Sequence, residues 1–138
     1  MENKPAFAFI TLGLLAAAFP GKAEEVTLEK LPPGVVQTVP RAGDAGLPAD
    51  TKQIRVTFSK AMKTERMWSV MIVTRESFPK ISGPVGFLKD GRTFVMPVAL
   101  EPGRTCALWL NSAKGKNFQD TLGQSAVPYL LVFKTKAK

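Results

Sequence analysis

The sequence predicts an all-β fold, an Ig-like antiparallel β-sandwich of about seven strands, and three observations carry that reading. Past residue 23, short runs rich in Val, Ile, Phe and Thr alternate with clusters of Pro, Gly, Asn and Asp. No stretch there keeps a helical period for three turns. Within several of the runs, apolar residues recur at every second position, the period of a strand with one face buried.

Seven strands follow in order: Val35–Val39, Ile54–Ser59, Trp68–Thr74, Val85–Leu88, Thr93–Val98, Thr105–Asn111 and Tyr129–Thr135. The first begins after a Pro-Pro-Gly break. The second, IRVTFS, follows the turn-rich RAGDAGLPAD and places Ile54, Val56 and Phe58 on one side, with Arg55, Thr57 and Ser59 on the other. The third, within MWSVMIVT, is apolar on both sides, which leaves the face of Trp68 open. The fourth and fifth flank LKDGRT, where Asp90-Gly91 stands in hairpin position. In TFVMPVAL, Phe94, Met96, Val98 and Leu100 share a face; Pro97 has no amide hydrogen to give, which implies an edge strand or a bulge. After the Pro-Gly turn of LEPGR, Cys106 falls with Leu108 and Leu110, whereas Trp109 falls with Thr105, Ala107 and Asn111. The last strand follows QDTLGQ and turns Tyr129, Leu131 and Phe133 inward. Asp44, Asp90 and Asp120 each stand beside a glycine-bearing turn, where an Asp side chain bonding its own backbone is the expected role.

The first residues read differently. An uncharged run, PAFAFITLGLLAAAF, leads to a Pro-Gly break and then GKA, with small residues where a signal peptidase reads them. Residues 1–23 are therefore expected to be a cleaved signal peptide; the run is shorter than the roughly 20 residues of a spanning helix. Residues 24–34 read as a flexible lead-in with no packed role, and residues 35–138 as one domain. No membrane-spanning segment is expected after cleavage, and export places the protein in the periplasm or outside the cell. The formal charge of the 138-residue chain is +8, but the cations are scattered, as on a solvated surface, and an exported protein seldom meets nucleic acid.

Catalysis finds little support. Cys106 is the single cysteine, flanked by leucines on its own face, and is expected to be buried and inert. A catalytic thiol would want a histidine base, and the chain has none. The same absence removes the ordinary zinc and other transition-metal sites, and no spacing matches a calcium loop. Neither a glycine-rich phosphate loop nor a G-x-S-x-G elbow is present. No enzyme activity, metal or cofactor is expected.

Three stretches, VVQTVPRAGDAGLPADTKQIRVTFSKAM, DGRTFVMPVALEPGRTCALWLN and NFQDTLGQSAVPYLLVFKT, together resemble the bacterial Ig-like domain of the type met in S-layer proteins, the SbsA type. The resemblance runs from about Val35 to Thr135. Its more specific pieces are VTFSKAM (56–62), LEPGRT (100–105), the Asp120–Gly123 turn and the closing VFKT (132–135). It implies an inward tyrosine directly after the PG-x-T turn, the place where this chain has Cys106, so a smaller side chain must leave a gap or be compensated. It implies no catalytic residues, and it implies a structural or interaction module of an exported or surface protein.

The candidate contact residues are Trp109, Asn111 and Trp68, for an envelope protein or polysaccharide not identified by the sequence. An outward Trp109 could anchor a partner protein or stack on a sugar. The reading is an exported, non-catalytic Ig-like module for protein interaction or structural support at the cell envelope; a carbohydrate-binding module using Trp109 is the alternative.

Overall fold

The computed structural model describes residues 24–138, so the expected signal over residues 1–23 lies outside the described residues. Eight strands form: β1 (Val35–Val39), β2 (Gln53–Phe58), β3 (Val70–Ile72), β4 (Lys80–Ile81), β5 (Gly86–Phe87), β6 (Thr93–Ala99), β7 (Thr105–Leu110) and β8 (Tyr129–Lys134). One sheet runs β1-β2-β6-β4, with β5 also paired to β6; the other runs β3-β7-β8, and all these pairings are antiparallel. The described residues contain no helix long and apolar enough to cross a membrane.

The alternation sets the core. Ile54, Val56 and Phe58 of β2 and Phe94, Met96 and Val98 of β6 meet Cys106, Leu108 and Leu110 of β7 and Leu131 and Phe133 of β8. Each such large side chain withdrawn from water contributes about 1.5–3 kcal/mol. Phe118, which lies outside every strand, completes the cluster with its ring 5.0 Å from those of both Phe58 and Phe94.

Three expectations change. The eighth strand is β4, two residues with no alternation to announce them; Ile81 pairs with Val98 and Lys80 with Ala99. The third strand shrinks to Val70–Ile72, because Thr74 leaves the ladder to close a turn in which its Oγ1 accepts the Ser77 N–H, 3.1 Å. Pro97 lies neither on an edge nor in a bulge: β6 is central. The partner is what breaks. β4 ends at Ile81 and β5 begins at Gly86, Ser82 donates its N–H to Pro97 O at 2.9 Å, and Gly83 packs against the proline ring. The missing amide hydrogen thus faces the gap between two short strands, where no ladder bond is lost.

The lead-in also has more order than expected. From Glu29 onward its carbonyls are held: Lys60 Nζ donates to Glu29 O (3.2 Å) and Leu31 O (3.0 Å), Val127 N–H to Pro33 O (3.0 Å) and Ser59 N–H to Gly34 O (2.8 Å). Farther along, the segment 43–47 lies beside the lower half of β8, with Gly43 N–H donating to Val132 O and Lys134 N–H to Asp44 O, both at 2.7 Å.

Candidate functional site

Trp109 stands on the outer side of the three-stranded sheet. It pairs with Met71 of β3 and Leu130 of β8, so an apolar row, Met71–Trp109–Leu130, crosses the sheet. Leu130 is 41% exposed and Trp109 half-buried. Such a row is what an outward sheet face ordinarily lacks, since antiparallel sheets tend to be polar on the solvent side. Gly115, in the turn after β7, leans on one end of it: a Cβ there would lie 2.7 Å from Met71 Sδ.

Asn111 does not share that surface. The strand ends at Leu110, Asn111 turns into the left-handed region at φ 66°, and its side chain is swung inside at 0% exposure. There Nδ2 donates to Phe118 O (2.9 Å) and Ala126 O (3.1 Å), while Oδ1 accepts the Phe118 N–H (2.9 Å). Strand parity failed here because it presumes an extended backbone, and asparagine tolerates the left-handed turn. The amide is a buried clamp that positions Phe118, and no contact residue.

Trp68 is likewise removed from the Trp109 face. Its ring centroid lies 5.4 Å from that of Phe94, and its other flank lines an apolar cleft with Val70, Phe78, Ile81 and Met96 where the two sheets part. The structure therefore brings the two tryptophans to different places, with Met71 lining the cleft and pairing with Trp109.

Cys106 is buried at 6% exposure, as its parity requires. Burial pushes its thiol up, with the charge of Arg104 only partly opposing. A cavity of about 150 Å³ lies beside it, lined by Phe78, Ala99, Leu100 and the Arg104 side chain among others. Arg75, Glu76, Lys80 and Glu101 also line it, so it is a solvent-open surface hollow and not a void in the core. A thiol reagent is expected to label native protein at least tenfold more slowly than urea-unfolded protein, because the thiolate is disfavoured and enclosed; comparable rates would show the strand's faces reversed.

The most connected polar centre joins distant parts of the chain. Asp120 is 0% exposed; its Oδ1 accepts the N–H groups of Leu122 (3.0 Å) and Gln124 (2.8 Å), and its Oδ2 pairs with Lys60 Nζ at 2.8 Å and Gln124 Nε2 at 2.9 Å. Beside it, Lys63 N–H donates to Gln119 O and Thr121 N–H to Ala61 O. The stretch VTFSKAM and the Asp120–Gly123 turn are therefore two halves of one joint. Asp44 and Asp90 hold their own turns, through Gly46 N–H (2.9 Å) and through Arg92 and Thr93 N–H (2.9 Å each).

The joined landmarks are matched as a unit: the model of the bacterial Ig-like domain family covers residues 29–135. The chain belongs to the bacterial Ig-like domain family. The match begins at Glu29, the first residue whose carbonyl Lys60 holds. Two solved structures similar to this bacterial Ig-like domain are the crystal structure of the S-layer protein rSbsC(31-844), at 19% identity and TM-score 0.48 over 80% of this chain, and the surface layer protein SbsC, domains 1–6, at 18% identity and TM-score 0.49 over 78%. The chain spans 14% of the length of each. No curated protein matches it. Among the described residues no three His, Cys, Asp or Glu side chains gather as a metal site. The buried polar centres of this bacterial Ig-like domain, at Asn111 and Asp120, are taken up by its own backbone and by the Lys60 and Gln124 side chains.

Proposed function

We propose that this bacterial Ig-like domain is an exported, non-catalytic module for protein interaction or structural support at the cell envelope, and that its contact face is the outer side of β3-β7-β8. The observation that carries the contact is the apolar row Met71–Trp109–Leu130 on a side of the sandwich that water should otherwise wet. Export is supported by the apolar run and small-residue exit of residues 5–23. The strongest polar clusters, at Asn111 and Asp120, are closed by backbone groups and by the Lys60 and Gln124 side chains, so their polar atoms serve the fold.

Capture of a defined envelope component by immobilised protein tests the reading. Trp109→Ala is expected to reduce capture at least tenfold while lowering stability by only about 1–2 kcal/mol, since the ring already keeps some contact with water. Capture unchanged in Trp109→Ala would move the contact elsewhere. Glycan binding abolished by the same substitution would replace the protein-contact reading with a carbohydrate-binding one.

A further inference from the structure

A second surface, which meets the Trp109 face at Leu130, carries its own signature. Between the free edges of the two sheets runs a groove of about 810 Å³, lined by Val36, Thr38, Val39 and Arg41 on the β1 side, and by Leu47 and Tyr129 opposite. Its floor holds main-chain groups that no described residue bonds. Ser59 N–H donates to Gly34 O, so alternate residues of β2, Thr57 and Arg55, turn their main-chain groups to β1 and meet Gln37 and Val39. Thr38 between them turns its N–H and C=O the other way, and no described residue takes them up although Thr38 is only 6% exposed. Buried backbone groups are almost always paired, so these mark a place where a partner or water completes the edge.

The β8 edge repeats the pattern. Val132 C=O and Lys134 N–H point outward to the 43–47 segment. Leu130, two residues earlier, points its N–H and C=O the same way, beyond the end of that segment, with no described residue opposite. An extended polypeptide is the ligand whose chemistry answers two unfinished ladders at once.

The chain has such a segment. Ahead of the anchored Glu29 runs Glu24–Leu28, EEVTL, in which Val26 and Leu28 are 76% and 77% exposed. They alternate at a strand's period. The arm carries Glu24 and Glu25 with no cation of its own before Lys30, whose Nζ reaches Glu25 O at 3.5 Å; the groove carries Arg41 and, across from it, Asp44, and Arg55 lies beside the groove on β2, opposite Val39. We propose that the Glu24–Leu28 arm of one copy enters the β1/β8 groove of a second copy as an added strand, pairing with Thr38 and Leu130 and setting its acids against Arg41 and Arg55. The contact is heterologous, so copies join head to tail.

Light scattering of the full chain across a concentration series, with a fluorescent peptide of residues 24–30 as the soluble probe, tests this. The mass should rise with concentration, and the peptide should bind and reverse the rise. An arm variant, Val26→Asp with Leu28→Asp, and a groove variant, Arg41→Glu with Arg55→Glu, should each remain monomeric, and the groove variant should bind the peptide about tenfold more weakly. Mixed, the two should form a heterodimer, since one keeps its groove and the other its arm. Both variants substitute exposed positions, so a failure to fold, checked by circular dichroism, is not the expected cause of monomers. A chain that stays monomeric at about 1 mM without binding the peptide overturns the proposal. So does association that survives in the arm variant, or a groove that takes only foreign strands.

Discussion

Replacing Asn111 with alanine is expected to lower the stability of the domain by about 3–5 kcal/mol, enough to unfold a large share of molecules in a protein of ordinary marginal stability. Two buried main-chain groups would lose their partner together, the N–H of Phe118 and the C=O of Ala126, and the C=O of Phe118 would keep only the Ala126 N–H at 2.8 Å. Each orphaned group costs about 1–3 kcal/mol, less than additively because the loop relaxes. The loss would spread to packing, since Phe118 fills the space between Phe58 and Phe94. Asn111→Gly separates the contributions. It keeps the freedom for φ 66° and loses the clamp, so it should be less destabilised than the alanine variant by about 1 kcal/mol. Chemical denaturation of both variants checks this; a loss under 1 kcal/mol for alanine would mean that the clamp is not what seats Phe118.

Asp120→Ala is expected to cost about 3–4 kcal/mol, because it strands the Lys60 ammonium and the N–H groups of Leu122 and Gln124 in one place. It should also loosen residues 29–31, whose carbonyls share Lys60 and Gln124 with the carboxylate, and hydrogen exchange there should speed up. The same centre sets a pH dependence. Burial on its own would raise the Asp120 carboxyl, but the Lys60 hydrogen bond, followed by those of Gln124 and Leu122, outweighs it and holds the carboxyl below its ordinary value. A carboxyl held lower in the folded than in the unfolded chain stabilises fully above about pH 4 and loses that contribution as pH falls through the folded value. The melting temperature should therefore fall on acidification below about pH 4, and Asp120→Asn should flatten most of the slope. Asp90, lowered by the Thr93 hydroxyl and by the Arg92 and Thr93 N–H groups, acts in the same direction. An unchanged acid slope in Asp120→Asn would place the linkage elsewhere.

Both effects arise at residues whose importance is poorly written in their own neighbourhood. Asp120 was legible as a turn residue, and its bonds to Leu122 and Gln124 are that turn. Lys60, 60 positions earlier, read as one of several scattered surface cations. It is 16% exposed, and the ion pair is invisible until the loop after β2 is laid against the loop after β7. Asn111 was read as outward because alternation was extended one residue past the strand's end.

What the sequence determined by itself is what a strand or a turn decides within a few residues. Period-two alternation assigned Ile54, Val56, Phe58, Phe94, Met96, Val98, Cys106, Leu108, Leu110, Leu131 and Phe133 to the core, and all are buried; Leu100 and Tyr129, placed on the same faces, are half-buried and pack against it. The all-β class and the turn-holding roles of Asp44 and Asp90 were readable for the same reason: successive side chains of an extended chain point opposite ways, and an Asp side chain reaches its own backbone two residues on. The family was legible only through the resemblance of whole stretches such as VTFSKAM and LEPGRT. Tertiary structure alone decided which strand ran through the centre with Pro97 facing a broken neighbour, that Phe118 from a loop closed the core, that Asn111 turned inside, and that Trp68 and Trp109 parted. These depend on groups brought together by folding from tens of residues apart, where hydrogen-bond satisfaction and close packing choose among positions that local periodicity leaves equal.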